Sequence, residues 1–133
     1  MKEILSVINT ELNLVLKLNY CFFEYSKSKI TYPYLIGDYI EEPFEKECSH
    51  SKGTLILTAF TRDRQENEKK IKGTRLELEE IADKIKEHFR YFRRSINKSI
   101  VAIEYDYRQP IDSADENIKK IEIYLSVDKW KGV

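Results

Sequence analysis

The chain has 133 residues, of which 41% are hydrophobic and 35% are charged, so it can bury one core without disulfides or metals. Its 23 Lys and Arg residues balance its 23 Asp and Glu residues. This balance argues against nucleic acid as the main partner, because phosphate binding depends on accumulated positive charge. We expect one domain over residues 1–133, and no apolar run approaches the length of a membrane span.

The N-terminal segment has the pattern of an amphipathic helix over about residues 2–18. Its apolar residues recur at spacings of three and four: Ile4, Val7, Ile8, Leu12, Val15 and Leu16. Glu3 and Glu11 interrupt the apolar positions, so the segment lacks the pattern of a secretory signal. We therefore expect the protein to be made in a reducing cytosol.

Three strands are predicted next, at residues 21–25, 34–42 and 54–61. The first is short and aromatic, and Pro33 forces an extended approach to the second. Gly37 predicts either a bulge or a close approach by another part of the chain. Apolar residues on both faces of the third strand indicate a central strand, or a strand whose second face is covered by a partner.

A charged connector over residues 62–73 leads to the helix with the clearest pattern, at about residues 74–92. The connector is expected to be a solvated loop or an extra helical turn. Thr74 and Glu77 have the spacing of a capping box. The core stripe of the helix consists of Leu78, Ile81, Ala82, Ile85 and Phe89.

Two alternating segments at residues 101–107 and 121–128 complete the chain and predict half-buried antiparallel strands. A polar turn at residues 109–117 separates them. The predicted order is α-β-β-β-α-β-β. This order indicates an α+β fold, with a mostly antiparallel sheet of about five strands and two helices packed on it.

The sequence offers little for catalysis. Of its two histidines, His88 is expected to be solvated or to face the end of its helix, among basic residues. His50 lies two positions from Cys48, but no second pair completes a tetrahedral metal site. No phosphate-binding loop or nucleophile motif occurs. We therefore expect no enzymatic activity, no metal and no cofactor.

Charge is distributed unevenly around the third strand. Residues 38–47 hold five acidic residues against one basic residue, a net charge of −4, and residues 62–72 hold five basic against three acidic, a net charge of +2. Such a chain can pair head to tail with copies of itself, although ordinary solvated surface charge is the alternative. The hypothetical subunit interface comprises Asp38, Glu41, Glu42, Glu45, Arg62, Arg64, Lys69 and Lys70.

Several segments occur in an order seen in a known family. An N-terminal helix and a strand precede Y-P-Y at residues 32–34 and G-D-Y at residues 37–39. T-L-I-L-T-A-F-T-R at residues 54–62 and E-E-I-A-D-K-I at residues 79–85 follow, with two closing strands. This layout resembles the small tail-completion proteins of long-tailed bacteriophages, the tail terminator or tail-to-head joining family.

The resemblance implies a structural role in the virion after synthesis in the host cytoplasm. Such proteins form a ring, commonly of six subunits, at the head-proximal end of the tail tube. The ring stops tube polymerisation and provides the surface to which the head attaches. The implied partners are copies of the chain, the tail tube protein and a head connector or neck protein. DNA would be contacted only in the ring lumen, and no membrane is involved.

The connector at residues 62–73 is longer than in many relatives, which leaves an inter-subunit arm, a lumen loop or a disordered insertion open. Two other functions also stay open. One is a different neck or head-completion protein of the virion. The other is a cytosolic, non-enzymatic binding module that uses an exposed sheet edge.

Overall fold

The computed structural model describes residues 2–22, 31–42 and 50–131. The helical elements are α1 (Lys2–Asn9), a π-helical segment (Thr10–Val15) and α2 (Arg75–His88). The strands are β1 (Tyr20–Phe22), β2 (Tyr34–Glu41), β3 (His50–Arg62), β4 (Arg64–Glu66), β5 (Lys69–Ile71), β6 (Phe92–Ile96), β7 (Ser99–Ile111) and β8 (Ile118–Lys131). The α+β class is confirmed.

The main sheet has six strands in the order β1-β2-β3-β8-β7-β6. It is mixed, because β1 runs parallel to β2 while the other neighbouring pairs are antiparallel. The prediction of about five mostly antiparallel strands is therefore only partly correct, and the predicted element order is wrong. The long central pair joins β3 to β8, from His50 opposite Trp130 to Arg62 opposite Ile118.

The prediction missed two hairpins, and both turn through two residues with positive φ. Asn67 and Glu68 have φ of 49° and 66°, and Asn97 and Lys98 have φ of 47° and 64°. Two consecutive positive φ values are characteristic of type I′ hairpin turns. The connector over residues 62–73 is thus a β4–β5 hairpin, and the expectation of a solvated loop or a helical turn is wrong.

The second helix is shorter than predicted, because α2 ends at His88 and the chain then enters β6 at Phe92. Tyr91, in between, has φ of 62°, a left-handed conformation that a helix cannot continue through. The first helix also departs from its prediction, since regular α-helix ends at Asn9 and a π-helical segment follows it.

Both helices pack on one face of the sheet, which we call the covered face. The core lies between the helices and this face. Thr61 of β3 donates to Glu77 of α2 at 2.7 Å, and Lys129 of β8 donates to Glu3 of α1 at 3.1 Å, on this same face. The sheet residues buried here are Tyr20, Leu35, Tyr39, Leu55, Leu57, Ala59, Val101, Ile103, Ile121, Ile123, Leu125 and Val127. Each large apolar side chain buried in this way contributes about 1.5–3 kcal/mol.

A buried carboxylate ties the start of the chain to the far edge of the sheet. The π-helical segment directs Glu11 inward, where its two oxygens lie 2.8 Å from His88 Nε2 and 2.8 Å from Arg94 Nη1. His88 lies in the last turn of α2, as predicted, but its ring is bonded to Glu11 rather than solvated. Its partner lies 77 positions away, so the contact has no local sequence signal.

Two tyrosine rings lie across glycines of neighbouring strands on the covered face. A Cβ atom on Gly37 would come within 2.6 Å of the Tyr20 hydroxyl oxygen, and a Cβ atom on Gly53 would collide with the Tyr39 ring. The register of β2 with β3 continues unbroken through Gly37. The close approach predicted at Gly37 is thus confirmed, and the alternative of a bulge there is not.

Candidate assembly interface

The second face of the sheet carries no helix in the described parts of the chain, and we call it the open face. It is formed by the residues of β2, β3, β7 and β8 that alternate with the core residues. In β3, Leu55 and Leu57 are fully buried on the covered face, whereas Ile56 and Phe60 are half-buried on the open face. The apolar residues predicted on both sides of this strand are therefore confirmed.

Three pairs of stacked rings cross neighbouring strands on the open face. They are Tyr34 with Phe60, Tyr107 with Tyr124, and His50 with Trp130. Their centroids are 4.7, 4.4 and 4.7 Å apart, and their planes lie within 9° of parallel. Stacking covers the ring faces and fixes their positions while the outer edges stay accessible. Large aromatic side chains held in this way are enriched at protein–protein interfaces.

Several apolar side chains of the open face are largely exposed. Ile40 is 55% exposed, Ile100 is 43% exposed and Tyr107 is 51% exposed. Isolated exposed hydrophobic residues are normal, but these share one face with the stacked rings. The open face therefore presents exposed apolar and aromatic side chains among charged ones.

His50 is held in place by its neighbours on this face. Its Nε2 atom lies 2.7 Å from Asp128 Oδ1, and its ring stacks on Trp130. The guanidinium carbon of Arg93 lies 6.0 Å from the centroid of the Trp130 ring. Cys48, which lies two positions from His50 in the sequence, is outside the described residues. Within those residues, no group of three or more His, Cys, Asp or Glu side chains is placed to hold a metal ion.

Two acidic members of the hypothetical interface, Glu41 and Glu42, lie together at one end of the sheet. Asp38 is exposed on the open face opposite Ile56, and the exposed Glu41 lies opposite Gly53. The exposed Glu42 follows directly, and its backbone N–H donates to the carbonyl oxygen of Lys52 at 2.8 Å. Glu45 lies outside the described residues. The structure thus brings Glu41 and Glu42 to the same strand end, whereas Asp38 lies level with the middle of β3.

The basic members lie at the opposite end. The nine residue steps of β3 from Gly53 to Arg62 span about 30 Å at roughly 3.3 Å per residue. That distance is several times the Debye length of about 8 Å at physiological salt. The acidic and basic ends therefore cannot neutralise each other within one chain.

Arg64 has partners inside the subunit. Its Nη1 and Nη2 atoms donate to Glu77 at 3.1 and 3.3 Å, and its Nε atom donates to Glu66 at 3.1 Å. Burial opposes the charge of Arg64, but these hydrogen bonds outweigh burial and raise its pKa. Arg64 therefore pins the β4–β5 hairpin to α2.

The contacts of Glu77 also show how far the predicted capping box forms. Thr74 Oγ1 accepts the backbone N–H of Glu77 at 3.3 Å, as predicted. The Glu77 carboxylate accepts from Thr61 and Arg64, and no return bond to the Thr74 backbone is found in the described part of the chain. Only the threonine half of the box forms, because tertiary partners occupy the glutamate.

The remaining basic residues surround the base and tip of the hairpin. Asp63 Oδ1 accepts the backbone N–H of Gly73 at 2.8 Å, which closes the base. The Arg62 guanidinium carbon lies 5.8 Å from the Tyr32 ring centroid. Lys69 and Lys70 are exposed, as are all residues from 65 to 70. The hairpin is thus anchored at its base and accessible along its length.

No helix among the described residues is long and apolar enough to cross a membrane. In comparisons with known proteins, no protein-family model and no curated protein matched the chain.

Proposed function

We propose that the chain is a structural protein of a bacteriophage tail, a terminator that forms a ring at the head-proximal end of the tail tube. The ring would stop tube polymerisation and provide the surface for head attachment. Its partners would be copies of the chain, the tail tube protein and a head connector or neck protein. The proposal draws on the resemblance in layout, and the observation that supports it best is the placement of opposite charges at opposite ends of β3.

This charge placement favours contacts between subunits. Because the two ends are about 30 Å apart at strand spacing, an acidic end can meet a basic end only on another copy. Glu41 and Glu42 of one subunit would face Lys69 and Lys70 of the next. Such a contact is heterologous, and its repetition closes a ring when the rotation between subunits closes.

The charged pairs would set orientation rather than supply most of the affinity. An exposed ion pair contributes only about 0–1 kcal/mol and is screened by salt. Complementary charge increases the rate of association and disfavours wrong registers. Assembly should therefore weaken as ionic strength rises, while apolar contacts beside the charges supply the remaining stability.

A charge-swap experiment tests this pairing. The double variant Glu41→Lys with Glu42→Lys, and the double variant Lys69→Glu with Lys70→Glu, should each reduce assembly measured by light scattering at low salt. The combination of all four substitutions should restore it. Glu87→Lys is the control, since Glu87 is exposed near the end of α2 and lines a groove with Phe89 and Tyr105 rather than with the hairpin. Unchanged assembly in both double variants would show that the pairing is wrong.

The biological role is tested by disrupting the gene in the phage or prophage that encodes the chain. Loss of a terminator should give tails with overlong tubes and no attached heads in electron micrographs, and a plasmid copy should restore virions. Tails of normal length that lack heads would instead favour a neck or head-completion protein. Complete virions would contradict both virion roles.

A further inference from the structure

The sheet edges are poorly suited to pairing with another strand. In β7, the register with β8 shifts between Tyr105 and Tyr107, which marks a bulge, and Pro110 has no N–H to donate. At the other side of the sheet, Asp38 and Glu41 place charges along the part of β2 that lies beyond its pairing with β1. Bulges, prolines and charges are the features that prevent edge-to-edge association. Among the described residues, no helix covers the open face.

The centre of the open face combines β-branched and aromatic side chains with a few polar ones. Cross-strand rows place Asp38, Ile56, Tyr124 and Tyr107 side by side, and Ile36, Thr58 and Glu122 in the next row. β-Branched and aromatic side chains fit a half-buried pleated surface. In two-layer sheet proteins such a face packs against a second sheet about 10 Å away.

The size of the open face matches a stable interface. β3 has 13 residues, and four strands contribute to the face. At about 3.3 Å per residue and about 4.8 Å between strands, this gives roughly 800 Å². Standard protein–protein interfaces bury about 800 Å² per partner.

The charges of the open face are self-complementary along the strand direction. Between Ile56 and the last residue of β3, the charged residues of the open face are Arg62, Lys120 and Glu122. Between Ile56 and the first residue of β3, they are Lys52, Arg93, Glu104, Asp106 and Asp128, and Asp38 lies level with Ile56. One half has a net positive charge and the other a net negative charge. Two copies stacked with antiparallel strands bring opposite halves together, whereas parallel stacking brings like charges together. Asp38, in the row at Ile56, faces its own copy, but it is exposed on β2 beyond the pairing with β1, at the rim of the face.

We propose that the open face is a self-association surface, at which two copies of the chain pack sheet against sheet around a two-fold axis. The axis lies across the strands near Ile56, so β3 of one copy runs antiparallel to β3 of the other. This contact is isologous, with the same patch used on both copies. It uses none of Glu41, Glu42, Lys69 or Lys70, so it is independent of the proposed ring contact and can join two single chains or two rings.

Mass measurement by light scattering coupled to chromatography tests the pairing. Ile40 is exposed in the single chain, so Ile40→Lys places a charge on the open face without disturbing the core. Both copies carry the substitution, so the interface contains two added charges. The dissociation constant should rise at least about a hundredfold. The assembled mass should halve, whether the paired unit is a chain or a ring. Leu76→Lys, on the exposed side of α2 at 66% exposure, is the matched control and should leave the mass unchanged.

A cross-linking experiment tests the position of the axis. The packed sheets lie about 10 Å apart, which is too far for a direct disulfide, so the thiols are joined with a bis-maleimide cross-linker. In a background with Cys21→Ser and Cys48→Ser, Ile56→Cys should cross-link to its own copy on the partner. Leu76→Cys in the same background should not. Circular dichroism confirms that each variant is folded. A wild-type mass equal to that of Ile40→Lys, or cross-linking of Ile56→Cys no greater than that of Leu76→Cys, would overturn the proposal.

Discussion

The two faces of β3 use similar residues for different purposes. On the covered face, Leu55 and Leu57 lie completely buried beneath the helices. On the open face, Ile56 and Phe60 are equally apolar but only half-buried, since no helix in the described residues lies over them. The difference shows that apolar content alone does not define a core. A strand that is apolar on both sides needs two covers, and this chain supplies one of them in the residues described.

The largest expected effect appears when two neighbouring residues of β3 are each replaced by alanine and the free energy of unfolding is measured. Leu57→Ala removes a fully buried side chain and should lower the free energy of unfolding by about 2–5 kcal/mol. Ile56→Ala, one position away, should cost less than about 1 kcal/mol because its side chain is partly solvated already. Denaturant titration measures both, at a protein concentration low enough to keep the chain unpaired.

The same two variants should reverse their order when association is measured. Ile56→Ala should weaken pairing of the open faces, and Leu57→Ala, if folded, should not. Equal losses of unfolding free energy in the two variants would contradict the assignment of one covered and one open face.

The sequence predicts the long strands well, because alternation along β3, β7 and β8 is a local pattern. It failed at β6, where no strand was predicted and Phe92 was assigned to the end of the helix. Arg94 in fact points to buried Glu11, and Arg93 points to Trp130 on the open face. Neither partner is close in sequence. The turn at Asn97 lacks the glycine that usually marks a type I′ hairpin, so the strongest local signal was missing too.

The candidate interface was only partly visible in the sequence for the same reason. Clusters of like charge can be counted along the chain, and the exposure of Lys69 and Lys70 agrees with that count. The partnership of Arg64 with Glu77 depends on how the hairpin folds back on α2, which no spacing rule gives. The open face itself appears only when the positions of both helices are known.

A second test examines the polar contact that holds the covered face together. Glu11 is buried and bonded to His88 and Arg94, so Glu11→Gln leaves Arg94 without its counter-charge. The free energy of unfolding should fall by about 1–3 kcal/mol. Pairing of the open faces should be unaffected, because Glu11 lies on the other side of the sheet.

Arg75→Ala is the control for this prediction. Arg75 makes an exposed pair with Glu79 at 3.5 Å, one helical turn away, and such pairs contribute little. Its loss should change the unfolding free energy by less than about 0.5 kcal/mol. A Glu11→Gln variant as stable as Arg75→Ala would show that the covered face does not depend on the buried carboxylate.

The smallest effect at neutral pH concerns Tyr39, at the acidic end of the covered face. Its hydroxyl is buried and has no hydrogen-bond partner in the described residues. Burial, followed by the negative charges of Glu41, Asp128 and Glu42, raises the pKa of Tyr39 from 10.0 to about 12. Because the folded-state pKa lies above the unfolded value, the stability contribution is fully present below pH 10.0 and is lost as pH rises through about 12.

Tyr39→Phe should therefore separate neutral from alkaline behaviour. At neutral pH the free energy of unfolding should stay within about 1 kcal/mol of wild type, since no hydrogen bond is lost. Above pH 10.0 the variant should lose less stability than wild type, because phenylalanine has no proton to release on unfolding. Tyr91→Phe, at a site 78% exposed, is the control and should follow the wild-type pH profile. If the free energies of unfolding of Tyr39→Phe and wild type change in parallel from neutral to alkaline pH, the prediction is wrong. The Tyr39 hydroxyl would then be exposed to solvent rather than buried on the covered face.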